Sequence, residues 1–273
     1  MHLPLPLLMI APLLVSAQEQ PAGQGRGVNF YSKEKEAALG AALAKEVRRE
    51  TKEIANAAVR EYVERLGRQL VAQLPEATFT YTFEVTSDDA SGSDLKEPLA
   101  LPGGYIFVPS GLLLAAASEA EFAGMLAHAI AHVAERHGTR TATRAQLVNV
   151  SSVPLIFMGG WVSTAAEATL PLAFLQFARL FELQADRVGA RLMAGAGHDP
   201  SALVSYIERR QVDRTGEARV WSALPVKQRR IDTLRKVLDE LPERQYSSGD
   251  EFQRIQEEVR KIEAKPAPSL RSQ

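Results

Sequence analysis

The chain has 273 residues, 45% of them apolar, enough to bury a sizeable core in one domain or in one domain with a helical extension. Its formal net charge of -1 gives no pull toward nucleic acid or toward an acidic partner. It contains no cysteine, which excludes a disulfide framework, a thiolate metal site and a cysteine nucleophile, so any metal has to be held by His, Asp or Glu.

In chain order, Leu3 to Val15 is an apolar run of the length of a signal-peptide core, and Val15-Ser16-Ala17 is a small-residue cleavage signature. No Lys or Arg precedes the run, so the alternative is an uncleaved anchor, but the run is too short to span a bilayer comfortably. Residues 1–17 are therefore expected to be a signal peptide, and the protein is expected to be exported, periplasmic or secreted from a bacterium. Residues 18–31, rich in Gln and Gly, read as a flexible leader.

Ser32 to about Leu74 carries a helical pattern, with Tyr62, Leu66 and Leu70 on one face. Thr78 to Val85 alternates, placing Phe79, Tyr81, Phe83 and Val85 on one side of a half-buried strand. A polar loop over 87–96 and a turn at Pro102-Gly103-Gly104 lead to a short strand, Tyr105 to Val108. Ser118 and Glu121 form a capping box that opens the next helix, and Gly138 is its expected C-cap. Residues 148–174 hold a single ionisable group, Glu167. Pro154, Gly159-Gly160 and Pro171 interrupt the stretch, favouring buried or interfacial helices over a span, with peripheral membrane contact an open expectation. A second long helix runs from about Leu172 to Ala194, stopped by Gly195-Ala196-Gly197. Asp199-Pro200 starts another, and amphipathic helices follow at 227–240 and 250–264. The tail, 265–273, reads as disordered.

The chain has five histidines, and three of them, His128, His132 and His137, fall within ten residues. His128 and His132, four apart on a helix, put both imidazoles on one face, where they can share one Zn²⁺. Two polar residues on a half-exposed face would show the same spacing, and spacing alone does not choose between them. On the second long helix, Glu182 and Asp186 also share a face. Glu182 can ligate a metal, and Asp186 can hydrogen-bond the free nitrogen of a ligating histidine. A solvated acidic face is the alternative, but Phe177, Leu180, Phe181 and Ala185 surround the two acids with apolar residues.

Several blocks then carry a family resemblance: Leu99 to Val108 with Gly111-Leu112-Leu113, Leu126-Ala127-His128-x-Ile130-Ala131-His132-Val133 closing on Arg136-His137-Gly138, Phe181-Glu182-x-x-Ala185-Asp186, and Ala196 to Pro200. In this order they resemble the zinc metallopeptidases of the CAAX-prenyl-protease and HtpX-like type, peptidase family M48, most of all its soluble exported bacterial members. The resemblance covers roughly residues 32–240. It implies an α+β, predominantly helical gluzincin fold, with one Zn²⁺ held by His128, His132 and Glu182 and with Asp186 behind the ligands. It further implies that Tyr105, Ile106, Phe107 and Val108 form the edge strand of a small sheet, holding an extended or unfolded polypeptide substrate by β-augmentation. The expected organisation is a metallopeptidase-like domain over 32–240 followed by a C-terminal helix over 241–264.

The chain departs from the family at the residue after His128. Ala129 stands where the H-E-x-x-H motif has its general-base glutamate, and alanine can neither take nor return a proton. Leu224 stands where relatives often have a histidine, and Glu97 where they tend to have an asparagine. Three departures around one site read as natural loss of catalysis rather than as a single disabling substitution. Glu135 is no replacement, since it lies seven residues past His128, about 10 Å along the axis. His137, five residues past His132, points off the ligand face and reads as structural. The expectation is a metalloendopeptidase-like protein with impaired or absent turnover; the alternative is a non-catalytic zinc-binding pseudopeptidase that holds extended peptides as a chaperone or assembly factor.

Overall fold

The computed structural model describes residues 29–87, 96–147, 172–212, 224–246 and 250–264. The expected signal peptide, most of the leader, nearly all of the 148–174 stretch with Glu167, and the tail lie outside the described residues. Among the described residues no helix is long and apolar enough to cross a membrane.

The described chain is mostly helical, with one three-stranded sheet. The long N-terminal helical pattern resolves into two helices, α1 (Lys33–Glu50) and α2 (Ala57–Val71). Each has a side-chain cap: Ser32 accepts from the Lys35 amide, and Asn56 from the Val59 amide. The segment between them is not helical because it serves the sheet. Ile54 donates its amide to Val85, Ser87 donates its own to Lys52, and the Ile54 side chain is buried in the core.

Strand β1 is Thr82–Thr86, β2 is Leu99–Leu101 and β3 is Tyr105–Pro109. The strand expected from Thr78 starts four residues later, since its partner begins only at Tyr105, opposite Thr82, just past the turn. That turn, Pro102–Gly104, has Gly103 at φ 78° and Gly104 at φ 103°. Both angles are left-handed, which only glycine takes without strain.

The order β1-β3-β2 corrects the expected place of Tyr105–Val108: this strand is central, not an edge. β1 pairs with it in parallel and β2 antiparallel, so both of its ladders are filled. The physical reason lies in its two faces. Ile106 and Val108 enter the main core, while Phe107 packs with Ala44, Val47, Leu99 and Leu101 under α1. A run apolar on both faces belongs inside a sheet. The outer side of β1 is covered by residues 52–54, which leaves the outer side of β2 as the open edge among the described residues.

After the short helix α3 (Ser110–Ala115) comes α4 (Glu119–Ala134), the centre of the molecule. Ser118 caps it as expected, and Glu121 reaches back to the Ala117 amide at 2.7 Å. Gly138 is not its C-cap. The left-handed residue is Arg136, at φ 56°, and Gly138 lies inside α5 (His137–Leu147). Arg136 can hold that conformation because its guanidinium is fixed on both sides, to buried Glu36 at 2.6 Å and to the Tyr31 carbonyl at 2.7 Å. The end of the leader is likewise tied down: Asn29 donates to Thr139, and the Phe30 amide to Thr143.

Helix α6 (Leu172–Ala196) packs along α4 more extensively than any other pair of elements does. It ends, as expected, at the glycines, with Gly197 left-handed. Asp199 accepts from the Ser201 amide to start α7 (Ser201–Arg210). Helices α8 (Lys227–Glu240) and α9 (Glu251–Glu263) complete the shell. Phe252, Ile255 and Val259 of α9 share the one large core, where Phe252 meets the rings of Tyr62 and Phe122.

Candidate metal centre

Helix α4 is buried from Glu121 through Ala131, an apolar all-round helix sandwiched between α2, α6 and the sheet. Two histidines inside such a helix need partners, and α6 supplies them. The close approach depends on Gly189: a Cβ there would sit 3.0 Å from the backbone nitrogen of His128.

Three donors converge. His128 Nε2 lies 3.0 Å from His132 Nε2. Glu182 Oε2 is 3.3 Å from His128 Nε2, and Glu182 Oε1 is 3.4 Å from His132 Nε2. Ligands at about 2.0–2.1 Å from a tetrahedral ion are separated by about 3.4 Å, so this triangle has the size of one face of a zinc coordination shell. Glu182 Oε2 is buried with no hydrogen-bond partner, an orphan that a cation would satisfy. The residues His128, His132 and Glu182 form the one cluster among the described residues able to hold a metal in this way.

Behind the triangle, His128 Nδ1 is 3.0 Å from Asp186 Oδ1. Asp186 is fully buried and takes two bonds from Arg230, at 2.8 Å from Nε and 2.7 Å from Nη2. The third nitrogen of Arg230 donates to Gln211, at 3.3 Å, and faces Glu97 at 3.6 Å. Arg230 therefore ties α8 to α6 and to the segment before β2. Sequence reading assigned it no role. Its signal was an arginine in register with Leu234 and Val237 on the apolar stripe of α8, where a charge is out of place unless paired.

The electrostatics follow from these contacts. Burial opposes charge on His128, yet the carboxylates of Asp186 and Glu182 raise its pKa to about 9. A site that pulls a proton this hard also attracts a cation. Burial would raise Glu182, but His132 and His128 hold it well below the ordinary carboxylate range. Burial opposes ionisation of Asp186 too, and Arg230 keeps it low. Glu97 is pushed up by burial and by the charge of Glu182.

Ala129 is buried, 2% exposed, in the main apolar core. Glu135 caps the end of α4 and accepts from Gln184 at 2.7 Å. His137 is buried and does touch the site, since its Nδ1 is 3.2 Å from His132 Nδ1. Of the residues expected to wrap the two acids, Phe181 and Ala185 are buried, while Leu180 is half exposed and faces outward.

A His-x-x-x-His helix facing a glutamate helix, beside a small sheet, is the arrangement of a zinc metallopeptidase. Residues 53–238 match peptidase family M48, and the chain belongs to that family. It is 32% identical over 161 residues to a putative β-barrel assembly-enhancing protease of Vibrio cholerae, covering 55% of this chain and 32% of that one. The β-barrel assembly-enhancing protease of Yersinia pestis is 26% identical over 227 residues, 74% of this chain and 45% of its own. The mitochondrial metalloendopeptidase OMA1 of Schizosaccharomyces pombe is 28% identical over 199 residues, 67% of this chain and 53% of its own. The chain thus spans between a third and about half of the length of these relatives.

Proposed function

We propose that this chain is an exported protein of gluzincin type that holds one Zn²⁺ on His128, His132 and Glu182, and that it engages extended or unfolded polypeptides with impaired or absent turnover. The convergence of two imidazole nitrogens and an orphaned carboxylate oxygen within 3.0–3.4 Å carries the metal reading. When bound, zinc supplies Lewis-acid polarisation of a carbonyl and of water. The chain's own residues provide the rest. Asp186, anchored by Arg230, orients His128, and the methyl of Ala129 offers no group to take or return a proton where the family motif has its glutamate. Loss of general acid–base help lowers turnover by roughly 10²–10⁴-fold, about 3–5 kcal/mol of barrier.

The open side of β2 is the edge to which a peptide can add, replacing Tyr105–Val108 in that role. β2 packs against α4, and Glu97, just before it, feels the charges of His128, His132 and Glu182. Export is supported by the apolar N-terminal run and its small-residue cleavage signature. The non-catalytic pseudopeptidase is the second reading, and Ala129 favours it.

One pair of proteins separates the two readings: the chain as it stands and Ala129→Glu, assayed for bound zinc and for chelator-sensitive cleavage of a denatured protein. Zinc in both, with cleavage only by the variant, is the expected result. Zinc in both and cleavage by neither favours the pseudopeptidase. Cleavage by the native chain at the variant's rate overturns the account of the missing base, and absence of zinc from both overturns the metal site.

A further inference from the structure

Among the described residues, His132 has no carboxylate behind it comparable to Asp186 behind His128. Its outward nitrogen, Nδ1, instead meets Nδ1 of His137 at 3.2 Å. His137 Nε2 lies 3.3 Å from Gln184 Oε1, and Gln184 Nε2 donates to Glu135 Oε2 at 2.7 Å. The His137 ring is held in place by Phe181, stacked at 4.4 Å and 17°, with Arg140 and Arg144 over that same phenylalanine at 4.7 and 4.8 Å.

Hydrogen-bond chemistry allows one direction along this line. An ionised carboxylate only accepts, so Gln184 must present its NH₂ to Glu135 and its oxygen to His137. That oxygen only accepts, so His137 carries its proton on Nε2. A buried imidazole that donates to an amide oxygen, faces another imidazole and lies near the Arg140 guanidinium stays neutral, so its Nδ1 is a lone pair. His132 must then donate from Nδ1, so that in its neutral, ligating form Nε2 is a lone pair aimed at Glu182 and His128. The chain of groups beginning at Glu135 thus prescribes the tautomer that ligation requires, without reference to any metal.

We propose that His137, Gln184 and Glu135 form a positioning relay that fixes the tautomer and ring orientation of His132 and raises its basicity toward the metal. It is the counterpart, on the second ligand, of the Asp186–Arg230 pair on the first. The inference rests on the metal reading of the preceding section. His137 is a positioning residue and not a ligand.

The test is a zinc competition titration on the full chain, comparing native protein with His137→Phe, His137→Asn and Gln184→Leu, with circular dichroism and thermal unfolding of each apo-protein as the fold control. His137→Phe keeps the stacked ring and removes the acceptor; it is expected to weaken zinc binding by about 10- to 100-fold, the usual cost of losing an outer partner of a ligand. His137→Asn places a carbonyl oxygen where Nδ1 was and is expected to restore most of that affinity. Gln184→Leu is expected to fall between. In the zinc-loaded native protein, ¹⁵N imidazole NMR should show His137 as the Nε2–H tautomer. A folded His137→Phe that binds zinc like the native chain overturns the relay, as does a His137 protonated at Nδ1. If His137→Phe fails to fold, the asparagine variant and the tautomer decide. Native protein that takes up no zinc overturns the metal reading and the relay together.

Discussion

At the scale of single residues, the site is a balance of buried charges. Arg230 and Asp186 are both fully buried, and each is tolerable chiefly because of the other. Arg230→Met leaves the buried carboxylate with His128 as its remaining counter-charge and should destabilise the fold by up to about 3–5 kcal/mol, read as a lower midpoint in urea unfolding. Arg230→Lys should recover little, since an ammonium cannot make two parallel bonds to one carboxylate. His128 adds a pH dependence. Its pKa in the metal-free protein is raised to about 9, so at neutral pH zinc has to displace a proton from it. Zinc affinity is therefore expected to tighten by about tenfold per pH unit from pH 7 upward and to level off above pH 9, once the proton is gone. Competition titrations at several pH values check the slope, and a flat profile would show that His128 does not carry the proton. The His128–His132 pair was legible as a candidate from helical spacing and the scarcity of histidine, and Glu182 from its apolar surroundings and from the resemblance. The partners of His137 were not, because a residue five positions along a helix looks misdirected until the left-handed turn at Arg136 swings it back.

At the scale of elements, the site exists because α4 and α6 pack against each other, in contact at Gly189 and His128. Gly189 permits this, since a side chain there meets the backbone of His128. Gly189→Ala is expected to move the two helices apart by a few tenths of an ångström, loosening the donor triangle. It should lower zinc affinity more than it lowers the thermal midpoint of the apo-protein, and equal effects on both would argue that the gap relaxes without touching the ligands. Helix positions were readable in the sequence from caps and stops: Ser118, Gly197 and Asp199 all act at helix ends. The break between α1 and α2 was not, because it is imposed by hydrogen bonds from residues 52–54 to β1, some thirty positions away in the chain. Pairing with both β1 and β2 likewise put Tyr105–Pro109 in the middle of the sheet rather than at its edge.

At the scale of the molecule, one core runs from α2 to α9, and the C-terminal helix is part of it. Gln256 donates to the carbonyls of Leu113 and Ala116, both at 2.8 Å, and Phe252 completes the aromatic cluster with Tyr62 and Phe122. Ending the chain before Asp250 should expose that cluster and give a protein that binds a hydrophobic dye and loses its sharp thermal transition. A truncated chain that melts cooperatively at the native temperature would show α9 to be dispensable.

The sequence by itself determined the long helices, the family and the absence of a proton acceptor at Ala129, and it offered His128, His132 and Glu182 as candidates, because each is written in local spacing, in a run of motifs or in a single side chain. Tertiary structure alone decided the order of the strands, the service of Arg230 to Asp186, and the line from Glu135 to His132. Those depend on which distant segments meet, and strand order and buried pairing are set by the packing of the whole core, which no local pattern encodes.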